Sequence, residues 1–130
     1  ILPIVLISAV GNSMILKWSI DYDAAMITAG FIGFGMGDGY ARNLVTRDTE
    51  HNADVLIHGK RARLLDLNVD VAFADVTDIP DVQIGDTAVL VGRDGDEEIT
   101  TMELGERGGT SNGHICCAIT SRPLRRYING

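Results

Sequence analysis

Apolar and polar positions alternate most clearly over residues 63–74. Leu65, Leu67, Val69, Val71 and Phe73 are apolar, with Asp66, Asn68, Asp70, Ala72 and Ala74 set off against them. A period of two sustained this long predicts a strand with one buried face. On such a strand Asp66 and Asp70 share the polar face about 13 Å apart, at ~3.3 Å per residue, too far to share a proton. Apolar runs at residues 1–9, 13–20 and 25–32 read as further strands, the first two joined at the turn-prone pair Gly11-Asn12. Residues 54–58, 87–91 and 114–119 read as short strands too. Gly59-Lys60, residues 77–85 and the charged stretch 93–96 around Gly95 read as turns. Thr100 followed by Glu103 fits a capping box, predicting a short helix over 103–107 that stops at Gly108-Gly109. No linker or repeat divides the chain. The fold expected is one mostly β domain, a small closed or nearly closed Greek-key-like barrel with one short helix.

Charge narrows the partners. Eleven Lys and Arg against eighteen Asp and Glu leave a net charge of −7, which disfavours nucleic acid and an anionic membrane surface. No apolar run reaches the ~18–20 residues that span a bilayer, and residues 1–10 read as a core strand rather than a targeting segment. The adjacent Cys116 and Cys117 would point to opposite faces of a strand, so a bond between them is strained. They read as reduced, partly buried thiols of a cytoplasmic protein. The histidines, His51, His58 and His114, have no metal-ligand spacing. Neither serine nor cysteine sits in a nucleophile motif.

Gly33, Gly35, Gly37 and Gly39 occupy every second position of one segment. Side chains are thereby removed from one side of the backbone, where another group can approach closely. Tyr22 lies between Asp21 and Asp23 at a strand end, and two flanking carboxylates raise a phenol's pKa unless cations offset them. Arg42, Arg122 and Arg125 stand beside Gly- or Pro-marked breaks, where loops commonly carry binding residues.

Four segments, in order, resemble the C-terminal domain of the alanine racemase family. Residues 19–24 (SIDYDA) are similar to the family's V-S-Y-G-A, and residues 35–42 (GMGDGYAR) to G-Y-A-D-G-Y-x-R. Val69-Asp70 with residues 74–78 (ADVTD) resembles M-D-x-x-M-V-D-V-T-D, continuing into residues 82–86 and 89–92. Residues 121–127 (SRPLRRY) resemble the closing R-V-P-R-x-Y. The resemblance implies a β-barrel domain of a homodimeric racemase that uses pyridoxal phosphate. In that family the cofactor is a Schiff base on a lysine of an N-terminal TIM barrel, which lies outside these 130 residues. The chain would then complete a partner subunit's site, and by itself would not racemise a small amino acid.

Carried over position by position, Tyr22 matches the tyrosine that serves as acid/base on one face of the substrate Cα. Racemisation needs two such groups, one on each face. Val69 matches a residue whose backbone N–H meets the substrate carboxylate, and Asp70 the adjacent aspartate. Arg42 and Arg125 match arginines of their motifs, the latter lining the substrate entrance. Met36 stands where the family has a tyrosine, and so does Gly113, the latter tyrosine holding the cofactor phosphate. Asp66 falls near a family arginine. Those three departures keep a second function open, a non-catalytic interaction or regulatory module on the same barrel.

Overall fold

The computed structural model describes residues 5–9, 13–22, 25–46, 49–83, 85–125 and 127, with side chains from residue 29 onward. Its strands are β1 (Val5–Ala9), β2 (Ser13–Tyr22), β3 (Ala25–Ile32), β4 (Asp54–Ile57), β5 (Lys60–Leu67), β6 (Ala72–Asp75), β7 (Ala88–Val89), β8 (Gly92–Asp94) and β9 (Glu97–Ile99). Two α-helices follow, α1 (Thr101–Gly108) and α2 (Asn112–Cys117), and single 3-10 turns occur at Met36–Asp38, Arg42–Leu44 and Thr49–His51. Among the described residues no helix is long and apolar enough to cross a membrane.

Seven strands form one sheet in the order β1-β2-β3-β6-β5-β4-β7, every neighbouring pair antiparallel. Strands β4, β5 and β6 follow one another by short reversals, and β3 reaches β4 by a long connection yet pairs with β6. That is the Greek-key arrangement. Five strands of the sheet curl into a half-barrel, and β1 and β7 stand at the two ends of the hydrogen-bonded order. The mostly β architecture expected from the alternation is therefore the one observed. Helix is more plentiful than the single element expected.

The β4–β5 reversal is a two-residue hairpin. His58 and Gly59 both take left-handed backbone (φ 53° and 73°), the geometry whose twist matches paired strands. All four residues of β4 are buried, because β5 and β7 flank it and side chains cover both faces. Ile32, Leu56, Ile57, Leu64, Leu67, Ile99 and Leu104 fill the centre of the core.

The single strand expected over 63–74 is two. Strand β5 ends at Leu67, the chain reverses through 68–71 where Asn68 N–H donates to Val71 O (2.8 Å), and β6 returns alongside. A register shift between Leu64 and Asp66 moves the inward positions to Ala62, Leu64 and Leu67, followed by Ala72 and Ala74. Val69, expected on the buried face, stands on the reversal at 59% exposure. Asp70 is on the same reversal, so the along-strand spacing assigned to Asp66 and Asp70 does not apply.

The strand expected at 114–119 is also overturned, since residues 112–117 form α2. Ser111 Oγ accepts from His114 N–H (3.2 Å), and α2 buries a single residue, Ile115. One apolar contact is what a short helix packed on another supplies. Gly105 permits that packing: a Cβ there would lie 2.9 Å from Thr110 O and 3.0 Å from Ser111 C. Cys116 and Cys117 are consequently free and exposed rather than partly buried. The charged turn expected at 93–96 is the β8–β9 hairpin, reversing at Gly95-Asp96. Gly11-Asn12 lies outside the described residues.

Candidate functional site

Three segments far apart in the chain meet at one surface. The glycine-rich loop 33–39 lies against the reversal 68–70: Met36 N–H donates to Asn68 O (2.9 Å) and Gly37 N–H to Val69 O (2.7 Å). A Cβ on Gly35 would come within 2.3 Å of Asn68 O, so only glycine permits this approach. The segment 118–122 crosses the loop's other side. Thr120 Oγ donates to Gly37 O (2.7 Å), and Thr120 N–H donates to Asp38 O (3.1 Å). Gly39 has φ +100°, and a Cβ there would sit 2.2 Å from Ala118 O. The close approach inferred from the alternating glycines is real, and backbone comes in from both sides.

Charges arrange themselves on this frame. Asp38 Oδ2 accepts from Gly35 N–H (2.9 Å), closing the 3-10 turn, and Asp38 Oδ1 lies 3.4 Å from Arg122 Nε. Arg125 donates to Ile119 O (3.3 Å) and is exposed. Arg42 donates to Val45 O and lies 3.9 Å from Asp66 Oδ1, both side chains about half exposed. Asp66 thus faces an arginine of this chain. Exposed at this surface are Met36 (36%), Val69 (59%) and Ile119 (46%). Tyr22 is the last residue of β2, opposite Ala25, and its side chain lies outside the described set. Gly113 is exposed on α2, where an added Cβ would meet only Ser111 Oγ, at 3.9 Å. Of the residues singled out from the sequence, Met36 and Val69 lie on two segments bonded to each other, Met36 through Asn68 and Val69 through Gly37. Arg125 reaches the cluster through the 118–122 segment, and Asp70 follows Val69 on the reversal.

Sequence reasoning did not find Asp38, Thr120 or the role of Arg122. The signal for Asp38 was its place between Gly37 and Gly39. Thr120 carries none, because its partner is a backbone carbonyl 83 residues away. It also did not find a second polar centre, at the foot of α1. The carboxylate of Asp54, 7% exposed, has Arg61, Arg63 and Arg107 within 3.2, 3.4 and 3.7 Å. Arg61 reaches on to Glu97 and Glu103 (3.0 and 2.7 Å). The Arg61 hydrogen bond, opposed by some burial, holds the Glu103 carboxyl below its ordinary 4.5. Nearby, the buried Tyr40 hydroxyl has no hydrogen-bond partner among the described residues.

A curled antiparallel sheet whose glycine loop is clamped between a β-reversal and the 118–122 strap defines a class of small, open β domain. The chain belongs to the family described as "Alanine racemase, C-terminal domain", whose model matches residues 17–127. It is 36% identical over 96 residues to the alanine racemase of Halothermothrix orenii, covering 73% of this chain and 24% of that protein. With the alanine racemase of Symbiobacterium thermophilum it shares 36% identity over 124 residues, 87% of this chain and 32% of the relative. Biosynthetic alanine racemase from Pseudomonas aeruginosa superposes with a TM-score of 0.72 at 23% identity, over 89% of this chain and 35% of that one. Alanine racemase from Streptomyces coelicolor gives 0.70 at 25%, over 90% and 34%. The chain therefore spans about a quarter to a third of the length of the relatives it matches.

Proposed function

We propose that this chain is the C-terminal part of an alanine racemase-like enzyme, acting in the cytoplasm and lending one wall to a pyridoxal phosphate site held by a TIM barrel of a partner subunit. The observation that carries the reading is the pairing of the segments bearing Met36 and Val69, both exposed, with arginines beside them, in a chain of this family. The donor set suits an anionic ligand. Guanidinium groups match carboxylate and phosphate oxygens in charge and geometry. Among the described side chains the one lysine, Lys60, sits exposed at the β4–β5 hairpin, and the Schiff-base lysine would come from the barrel. A related alanine racemase from Bartonella henselae is described with covalently bound pyridoxal phosphate.

The bound cofactor would supply an electron sink that acidifies the substrate Cα–H bond. Tyr22 would carry the proton on one face of Cα. Arg42 and Arg125 would line the entrance, with Met36 and Asp70 beside them. The Val69 N–H, which takes part in none of the hydrogen bonds described above, would meet the substrate carboxylate. The test is interconversion of L- and D-alanine by the full-length polypeptide containing this chain. Tyr22→Phe should lower kcat by about a hundredfold or more, as loss of a general acid/base does. Equal rates for the two proteins sink the assignment.

A second reading, a non-catalytic interaction module, draws on Gly113, which has no hydroxyl to offer a phosphate, and on the Arg42–Asp66 pair. It predicts that the same polypeptide shows no absorbance from a lysine-bound cofactor.

A further inference from the structure

Two of the three segments at this surface are joined by a latch that the reading above does not use. Thr120 bonds two consecutive loop residues, its hydroxyl donating to Gly37 O (2.7 Å) and its N–H to Asp38 O (3.1 Å), and the same hydroxyl accepts from Arg122 N–H (3.3 Å) within the strap. Two residues on, Arg122 Nε lies 3.4 Å from the Asp38 carboxylate. The loop is shaped to receive this strap. A Cβ on Gly37 would lie 2.6 Å from Arg122 Nη1, and one on Gly39 would lie 2.6 Å from Ile119 Cα. Gly37 and the preceding Met36 carry the contacts to the other side, Gly37 N–H to Val69 O and Met36 N–H to Asn68 O. The peptide unit joining Gly37 to Asp38 is held at its carbonyl by Thr120 Oγ and at its N–H by Gly35 O (3.0 Å), so it cannot rotate without breaking one of these bonds.

We infer that Thr120 is a positioning residue, whose side chain fixes the glycine loop so that Met36, Val69 and the arginine-bearing strap present a single rigid wall. The role rests on the racemase reading only for its effect on turnover. The latch itself is a property of this chain.

Two variants in the full-length polypeptide test it. Thr120→Val keeps shape and removes the hydroxyl, and Thr120→Ser restores it. Amide exchange at Met36 and Gly37 should quicken by at least about fivefold in the valine variant, the least expected when the hydroxyl's bonds to Gly37 O and Arg122 N–H are both lost, and return to the wild-type rate in the serine variant. Racemisation should show a raised KM for alanine in the valine variant with kcat little changed, since a loosened wall binds less well but does not carry the proton. Unchanged exchange in Thr120→Val, or a serine variant as loose as the valine one, overturns the inference. An exchange difference in a protein that racemises nothing overturns the racemase reading and leaves the latch in place.

Discussion

Tyr40 shows how a single side chain can work against the fold that contains it. Its ring meets Phe34 edge-on, with centroids 5.0 Å apart, while its hydroxyl is sealed from solvent without a partner among the described residues. Burial is the main force raising its ionisation well above the ordinary value of 10, and the Asp54 charge adds to it. The native phenol therefore keeps its proton where the unfolded chain loses it. Stability attached to this group is complete below about pH 10 and is lost above it. Tyr40→Phe removes both the orphaned hydroxyl and the titration. It should be about 1 kcal/mol more stable at neutral pH, the lower end of what an unpaired buried hydroxyl costs, and the gap should widen above about pH 10. Urea midpoints for the two proteins across that range check this, and parallel curves would contradict it. The sequence offered Tyr40 only as part of a glycine-rich motif, since nothing local shows whether a phenol finds a partner.

Helix α1 was legible in advance and α2 was not, and the difference is physical. Thr100 caps α1 as its spacing to Glu103 suggested, accepting from Glu103 N–H (3.1 Å), and Gly109 ends the helix in left-handed backbone (φ 66°). Both signals are local. The Glu103 side chain, expected to close the capping box, instead binds Arg61 on β5, with Arg107 one turn along 3.5 Å away. A charged guanidinium on the sheet is a stronger partner than the N-cap amide. This pairing ties the helix to the sheet and predicts an acid dependence. A carboxyl whose native pKa is depressed adds stability that is present above about pH 4.5 and disappears as the pH falls through the native value. Glu103→Gln should lower stability above about pH 5 and flatten the acid part of the stability–pH curve, measured by thermal melting from about pH 3 to 7. A variant that still loses stability as steeply in acid would contradict this. In α2, by contrast, the run His114-Ile115-Cys116-Cys117 favours a strand by composition. It becomes a helix because Ser111 caps it and Gly105 lets it settle on α1.

Glycines decide how distant segments close on one another. Gly39 and Gly109 both have positive φ, +100° and +66°, but an added Cβ at Gly39 would strike Ala118 O at 2.2 Å while none lies within 4 Å at Gly109. Gly109→Ala should cost about 1 kcal/mol, the conformational term alone. Gly39→Ala should cost roughly 3 kcal/mol or more, because backbone must also move. Urea titrations of both variants give the comparison, and similar losses would show that the strap does not press on the loop in solution.

Most strands, the hairpin turns, the first helix and the mostly β class were readable because each follows from side-chain periodicity, capping or turn chemistry within a few residues. The family membership was likewise legible in four ordered motifs, which the match over residues 17–127 bears out. What sat beyond reach was every feature made by segments meeting. The reversal at 68–71 hid inside an unbroken alternation, since Val69 and Val71 keep the pattern while the chain turns through a backbone hydrogen bond. Thr120 looked like any polar residue near a terminus, and Asp54 like the edge of a strand. Their roles depend on backbone carbonyls and guanidinium groups brought near by the curl of the sheet, and proximity of that kind leaves no periodic trace in the order of residues.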